Sequence, residues 1–207
     1  MDSTLKFSTA PECLIVFTRY PEAGKSKTRL IPALGSQGAA NLQRQMTQKA
    51  IAQARELQTR HQILLEVHFH GGSGPLMQDW LGNDLVYHPQ VEGDLGVKMA
   101  SAFQQAFSQK KSGVVIIGSD CPDLDTDLLL QSFRSLRQHD LVLGPATDGG
   151  YYLIGLSRFI PEIFNGISWS TAAVLRQTVE VAKSMELAIA YLPTLTDIDR
   201  PEDLDRL

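Results

Sequence analysis

Cysteine is scarce: the 207 residues hold two, Cys13 and Cys121. So few thiols exclude the disulfide framework of small secreted domains and suit a reducing compartment. An excess of positive charge is also missing. Against 23 Asp and Glu stand 19 Lys and Arg, a formal charge of −4. A general binder of nucleic acid or of acidic membranes would carry the opposite balance, so neither is expected as a partner. Long apolar runs are absent as well. The longest, "GVVIIG" and "CLIVF", have the length of strands and fall far short of the ~20 residues of a membrane span. The opening "MDSTLKFSTAPE" lacks the apolar stretch of a signal peptide, and a cytoplasmic location is the expectation. No internal repeat or low-complexity tract breaks the chain. What is present is a 43% hydrophobic composition, enough for one well-buried domain over 1–207, with residues 1–11 expected to be flexible.

Short apolar runs alternate with longer helical patterns. Strands are expected at 12–18, 62–70, 84–88, 113–119, 140–145, 150–156 and 187–192. Helices are expected at 36–58, 75–81, 96–109, 125–138, 170–185 and 201–206. Ser170 precedes "TAAVLRQTVEVAK" as an N-cap would, and Asp199, three residues before Glu202 with Pro201 between, reads as a capping box. This alternation predicts an α/β fold with a mostly parallel sheet and helices on both faces. Ligands of such sheets bind beyond the carboxyl ends of the strands, which directs attention to the residues after each strand.

After the first strand comes "PEAGKSKTRL", residues 21–30. Its Gly24-Lys25-Ser26 imitates the end of a P-loop, but that motif needs a glycine where Arg19 stands, and Pro32 opposes a long helix from Ser26. What remains is a basic loop carrying Lys25, Lys27 and Arg29. After the third strand comes "PQVEGDLG", after the fourth "SDCPDLD", after the fifth "GPATDGGYY". Each alone reads as turn punctuation; together they would crowd one rim of the sheet. Asp120 is the sharpest case, because an acid ending a very apolar strand is costly unless paired or metal-bound, and carboxylates suit hard cations such as Mg²⁺ or Mn²⁺. Asp125 reads as a helix-start acid and Asp123 is open between cap and ligand. Asp148, beside Gly149 and Gly150, is either a base or second metal ligand, or part of a plain hairpin turn.

The segments "FTRYPEAGKSKTRL", "EGDLGVKM", "IIGSDCPDL", "LGPATDGGYYLIGL", "ISWST" and "LTDIDRPEDL" together resemble the bacterial DUF2064 family. Its members are usually described as glycosyltransferase-like proteins, some linked to arsenosugar biosynthesis. The family is similar to the nucleotide-diphospho-sugar transferase superfamily, which also holds molybdenum-cofactor and phospholactate nucleotidyltransferases. The resemblance spans residues 12 to 206 and implies a single GT-A-like domain. It implies that Lys25, Lys27 and Arg29 meet nucleotide phosphates, that Gln90, Gly93 and Gly96 lie along the base, and that Asp120 ligates the metal. Asp197 or Asp199 would approach that metal, with Asp199 taken as the ligand. Asp123, Gly149, Gly150, Tyr151 and Trp169 would line the substrate. The first loop departs from the superfamily's Gly-rich "G-x-G-(T/S)-R", and "SDCPD" is not a literal D-x-D.

Other features have simpler readings. His68 and His70 share one side of a strand, but without an evident third ligand they read as packing or surface residues. Cys121 reads as a small semi-buried thiol rather than a nucleophile. Trp169 reads equally as a stacking platform or a core residue. The leading expectation is a metal-dependent glycosyltransferase using a nucleotide-sugar and a small-molecule acceptor, with Asp120 and Asp148 in the chemistry. Nucleotidyl transfer and non-catalytic nucleotide binding are the alternatives, and a homodimer is compatible with all three.

Overall fold

The structure, a computed structural model, describes residues 10–207. The expected flexibility of residues 1–9 lies outside the described residues. Ala10 and Pro11, included in that expectation, are instead tied down: Ser112 Oγ donates to Ala10 O (2.7 Å) and Ser112 N–H to Pro11 O (3.1 Å).

The most apolar runs became the centre of the sheet. β1 (Glu12–Arg19) pairs in parallel with β2 (Ile63–His70) on one side and with β4 (Gly113–Ile117) on the other. β3 (Val86–Pro89) adds a parallel edge beyond β2. β5 (Leu141–Pro145) and β6 (Tyr151–Leu156) form an antiparallel hairpin. β6 inserts against β4, also antiparallel, and β7 (Ile189–Tyr191) closes the far edge in parallel with β5. The sheet thus has seven strands in the order β3-β2-β1-β4-β6-β5-β7 among the described residues. A tight connection forces β6 to reverse direction. The carboxyl ends of the other strands, together with the β5–β6 turn, therefore share one rim.

Helices α1 (Ile31–Arg60), α2 (Gly74–Leu81) and α4 (Thr126–Leu136) pack on one face, where Leu14, Val16, Val67, Val115 and Ile117 meet Ile51, Leu57, Met77, Leu129 and Phe133. Helices α3 (Leu95–Ser108) and α5 (Val174–Ser184) cover the other, where Cys13, Ile15, Val114 and Ile116 meet Met99, Phe103 and Ala182. Strands apolar on both faces require this double cover. Each large side chain so buried contributes roughly 1.5–3 kcal/mol.

Local chemistry sets the helix starts. Ser73, Asp94 and Asp125 each accept a hydrogen bond from the N–H three residues on, satisfying an orphan donor of the first turn. Asp125 is thus the cap of α4. α1 is interrupted at Gly35, whose φ of 69° and ψ of 166° no helix accommodates, so its long regular part begins at 36 as expected. Two expected caps are corrected. α5, expected from 170, begins at Val174; Ser170 has φ of 63° and caps nothing, because Thr171 turns the chain through Ser168 O and Ala173 N–H. Residues Pro201–Arg206 form a 3₁₀ helix in which Asp203, not Asp199, accepts from the N–H groups of Asp199 (3.1 Å) and Arg200 (2.8 Å).

Candidate functional site

The basic loop does not spread around a ligand-sized cradle; it folds on itself. The N–H groups of Lys25 and Ser26 both donate to Glu22 O (3.1 Å each). Ser26, fully buried, donates through Oγ to Tyr20 O (2.9 Å) and accepts from Glu22 N–H. The P-loop likeness is therefore accidental, as the spacing implied. Lys25 pairs with Glu22 at the surface. Lys27, in the left-handed region at φ 44°, turns inward. Its side chain is only 3% exposed. Its Nζ donates to Ile198 O (2.7 Å) and lies 2.9 Å from Asp120 Oδ1. A buried ammonium requires such partners.

Asp120 follows β4 where expected. The chain after β7 comes back across the rim to meet it. Leu195 bridges to Ala146 in parallel, Thr147 N–H donates to Leu195 O (3.0 Å) and Ile198 N–H donates to Asp120 O (2.8 Å). This return brings Asp197 and Asp199 to the site. Asp199 pairs with Arg29. Asp197 is the more confined of the two. Burial, and then the negative charges of Asp120 and Asp148, raise its carboxyl to about 7, while Lys27 opposes them and Asp199 adds a little. Asp148 sits in the β5–β6 turn, exposed, with Oδ1 accepting from Gly150 N–H (2.8 Å). Lys27, Asp120, Asp148, Asp197 and the Arg29–Asp199 pair thus converge from four separate stretches of chain.

Below them lies a buried hydroxyl and amide network. Gln43 of α1 donates through Nε2 to Thr18 Oγ1 (3.2 Å), Thr47 Oγ1 (3.1 Å) and Ser119 Oγ (3.2 Å), and Ser119 donates to Asp120 Oδ1 (3.4 Å). It locks the ends of β1 and β4 to α1. Sequence reasoning passed over it, as it did the burial of Asp197 among the other acids. Polar residues at the last positions of two apolar strands were the available signal.

Several expected site residues serve the packing of the fold. Gly149, at φ 91°, lies so close to Ala172 that a Cβ would come within 2.3 Å of its carbonyl oxygen, and Leu175 N–H donates to Gly149 O (3.0 Å). Gly96 is covered by Trp169, whose indole leaves no room for a Cβ; Trp169 in turn stacks on Phe164. Tyr151 packs into the α3/α5 face; burial raises the pKa of its hydroxyl, with Thr178 the nearest opposing influence. Gln90 is bound to β2 through both N–H (to Phe69 O, 2.8 Å) and Nε2 (to His68 O, 3.1 Å). Gly93 and Asp123 are exposed. Cys121 is no thiolate: burial, with the charge of Asp197, raises it to about 12.

The rim suits a hard cation. Its donors are carboxylate oxygens, and Lys27 shows the site's demand for positive charge. Among the described residues, the group of three such side chains whose ligand atoms lie within 4.8 Å of one another is elsewhere, at Glu66, His68 and His88. Among the described residues the rim aspartates form no such group.

Comparison with known proteins places the chain in a family. The model of DUF2064, described as an uncharacterized protein conserved in bacteria, matches residues 36–171. The chain belongs to the DUF2064 family. A crystal structure from Desulfovibrio desulfuricans G20, provisionally described as a nucleotide-diphospho-sugar transferase, is 35% identical. It superposes with a TM-score of 0.86 over 92% of this chain and 83% of that one. Two more distant structures share the fold alone. The 4-diphosphocytidyl-2C-methyl-D-erythritol synthase of Anaerococcus prevotii DSM 20548 is 8% identical, with a TM-score of 0.63 over 95% and 94% of the two chains. Rv0371c of Mycobacterium tuberculosis H37Rv, solved with manganese, is 14% identical, with a TM-score of 0.59 over 96% and 98%. No curated protein matches the chain. This DUF2064 member therefore has the architecture of the Desulfovibrio protein described as a nucleotide-diphospho-sugar transferase, a fold it also shares with the Anaerococcus synthase. No helix among the described residues is long and apolar enough to cross a membrane.

Proposed function

We propose that the protein is a metal-dependent glycosyltransferase that passes a sugar from a nucleoside diphosphate carrier to a small acceptor. The observation that carries the reading is the convergence of Lys27, Asp120, Asp148 and Asp197 on one rim. Asp120 and Asp197 would hold Mg²⁺ or Mn²⁺, which neutralises charge on a diphosphate when bound. Lys27 and Arg29 add cationic side chains on the same side, and Lys25 stands further out on the loop. The acceptor hydroxyl attacks the anomeric carbon, and its proton passes to Asp148, whose carboxylate is oriented by the Gly150 N–H. The bond from that carbon to the diphosphate oxygen breaks, and its electron pair leaves with the nucleoside diphosphate. Stabilising that leaving charge is the largest catalytic contribution asked of the site.

The folded loop supports glycosyl over nucleotidyl transfer. A triphosphate is usually cradled by backbone N–H groups, and those of Lys25 and Ser26 are already engaged by Glu22 O. The second reading, nucleotidyl transfer with release of pyrophosphate, draws support from the fold shared with the Anaerococcus synthase. A product assay separates the two. With Mn²⁺ and no acceptor, the protein should slowly hydrolyse at least one sugar nucleotide to nucleoside diphosphate. It should release no pyrophosphate from nucleoside triphosphates across a panel of phosphorylated acceptors. Acceptor-dependent pyrophosphate release without sugar-nucleotide turnover reverses the assignment; tight nucleotide binding with neither product favours a non-catalytic role.

A further inference from the structure

Away from the rim, on the α3 side of the sheet, β2 carries two buried polar residues where its pattern calls for apolar ones: Glu66 and His68. In register, His68 faces His88 of β3, and the rings lie 4.9 Å apart. Glu66 Oε2 is 3.3 Å from His68 Nε2 and 3.8 Å from His88 Nε2. The other carboxylate oxygen, Oε1, is taken by the buried ammonium of Lys111. Phe17 stacks on the far side of His68.

We propose that Glu66, His68 and His88 form a zinc site that clamps the edge strand β3 to β2. Three observations carry this. The three ligand atoms already lie within 4.8 Å of one another, close to the ~3.3 Å spacing of a tetrahedral ion bound at ~2.0–2.1 Å. Two imidazoles and one carboxylate suit Zn²⁺ rather than the all-oxygen preference of Mg²⁺. Glu66 and His88 also have outer partners. Lys111 holds the non-ligating oxygen of Glu66. Gln105 Nε2 lies 3.3 Å from His88 Nδ1; with that amide turned over, its oxygen accepts from Nδ1–H and leaves the Nε2 lone pair for the metal. His88 is 27% exposed, which gives an entry path and a place for a fourth, water ligand. The positive charge of Lys111 opposes the ion and keeps the affinity moderate.

The clamp has a structural purpose. β3 is a four-residue edge strand, and Gln90 just beyond it donates to His68 O. Zinc would therefore steady the 90–96 loop at the margin of the rim. The inference does not depend on the reaction assigned to the rim.

Equilibrium dialysis of the metal-stripped full chain against Zn²⁺, with Mg²⁺ in large excess to occupy the rim, should find one zinc ion per chain. His88→Ala should weaken this binding by ~100-fold or more, beyond the 10–100-fold typical of losing an outer-shell partner, whereas Asp120→Asn should leave it unchanged. Co²⁺ in place of zinc should give the visible bands of a tetrahedral site in the wild type and in Asp120→Asn, but not in His88→Ala. In the unmutated protein, zinc should slow amide exchange over 86–90, a readout that needs no variant to fold. Absence of a bound ion, retention of zinc by a folded His88→Ala, or exchange at 86–90 indifferent to zinc each overturns the proposal.

Discussion

The rim is held by single side chains with opposed demands. Lys27 is almost wholly buried and must be paired, and Asp120 with the Ile198 carbonyl supplies the pairing. Burial and the nearby charges of Asp120, Asp148 and Asp199 raise the Asp197 carboxyl to about 7. An ion between Asp120 and Asp197 would relieve that repulsion, so metal binding should release a proton near neutral pH. On this basis Asp120→Asn, which leaves the buried Lys27 with only the Ile198 carbonyl as partner, should lower the melting temperature and, measured against its own ligand-free value, lose the Mn²⁺-dependent stabilisation by nucleoside diphosphate, as thermal shift will show. Stabilisation by ligand follows mass action, ~2.7 kcal/mol at 100 times Kd, so its disappearance is easily read. Arg29→Ala should weaken nucleoside diphosphate binding by roughly 1.5–3 kcal/mol, the range for a hydrogen bond to a charged group. Nucleoside binding should hardly change. Equal losses for both ligands in a calorimetric titration would mean that Arg29 serves only to hold Asp199 and the tail.

At the scale of elements, the β5–β6 turn both presents Asp148 and receives α5. Gly149 makes the second of these possible, because its positive φ and its contact with the Ala172 backbone exclude any side chain. Gly150 differs, since a Cβ there would meet only the Asp148 carboxylate, at 3.1 Å. Gly149→Ala should therefore destabilise the protein by about 1–3 kcal/mol, the cost of holding a non-glycine residue in a disfavoured backbone region, with more if the Ala172 contact cannot relax. Gly150→Ala should cost less. The urea midpoints of the two variants check the order. The group that fills the space beside Gly149, the Ala172 backbone, arrives from 23 residues further along the chain.

For the whole molecule, the double cover of the sheet decides which parts open together. Cys13 lies near the start of β1 on the α3 face, fully buried, and burial together with Glu66 raises its thiol to about 12. Cys121 is partly exposed but likewise raised to about 12. Neither forms thiolate near neutral pH, and the thiolate is the reactive form. At pH 8 an aromatic disulfide reagent should label Cys121 slowly, and Cys13 only at the rate of global unfolding, so that Cys13 labelling follows the denaturant transition. Rapid modification of both thiols in native buffer would contradict the packing of α3 on the sheet.

Element types and order follow from local pattern. Apolar runs bounded by Gly, Pro and Asp could only be buried strands, and Asp94 and Asp125 could start their helices because a cap needs nothing beyond the next three residues. Asp120 was legible for a related reason: an acid at the end of an apolar strand is conspicuous from its immediate neighbours. What the sequence by itself could not determine was which distant groups would meet. The choice between Asp197 and Asp199 depends on the path of the tail over the rim, which is set by Leu195 pairing beside Ala146 and by Ile198 reaching Asp120. Likewise His68 found its companions across the register of β2 and β3 and through Lys111, whereas along the chain its nearest histidine was His70. Hydrophobic periodicity reports the burial of one element at a time. The desolvation of a charge, and therefore its need for a partner, is a property of several elements packed together, and only the tertiary structure decides it.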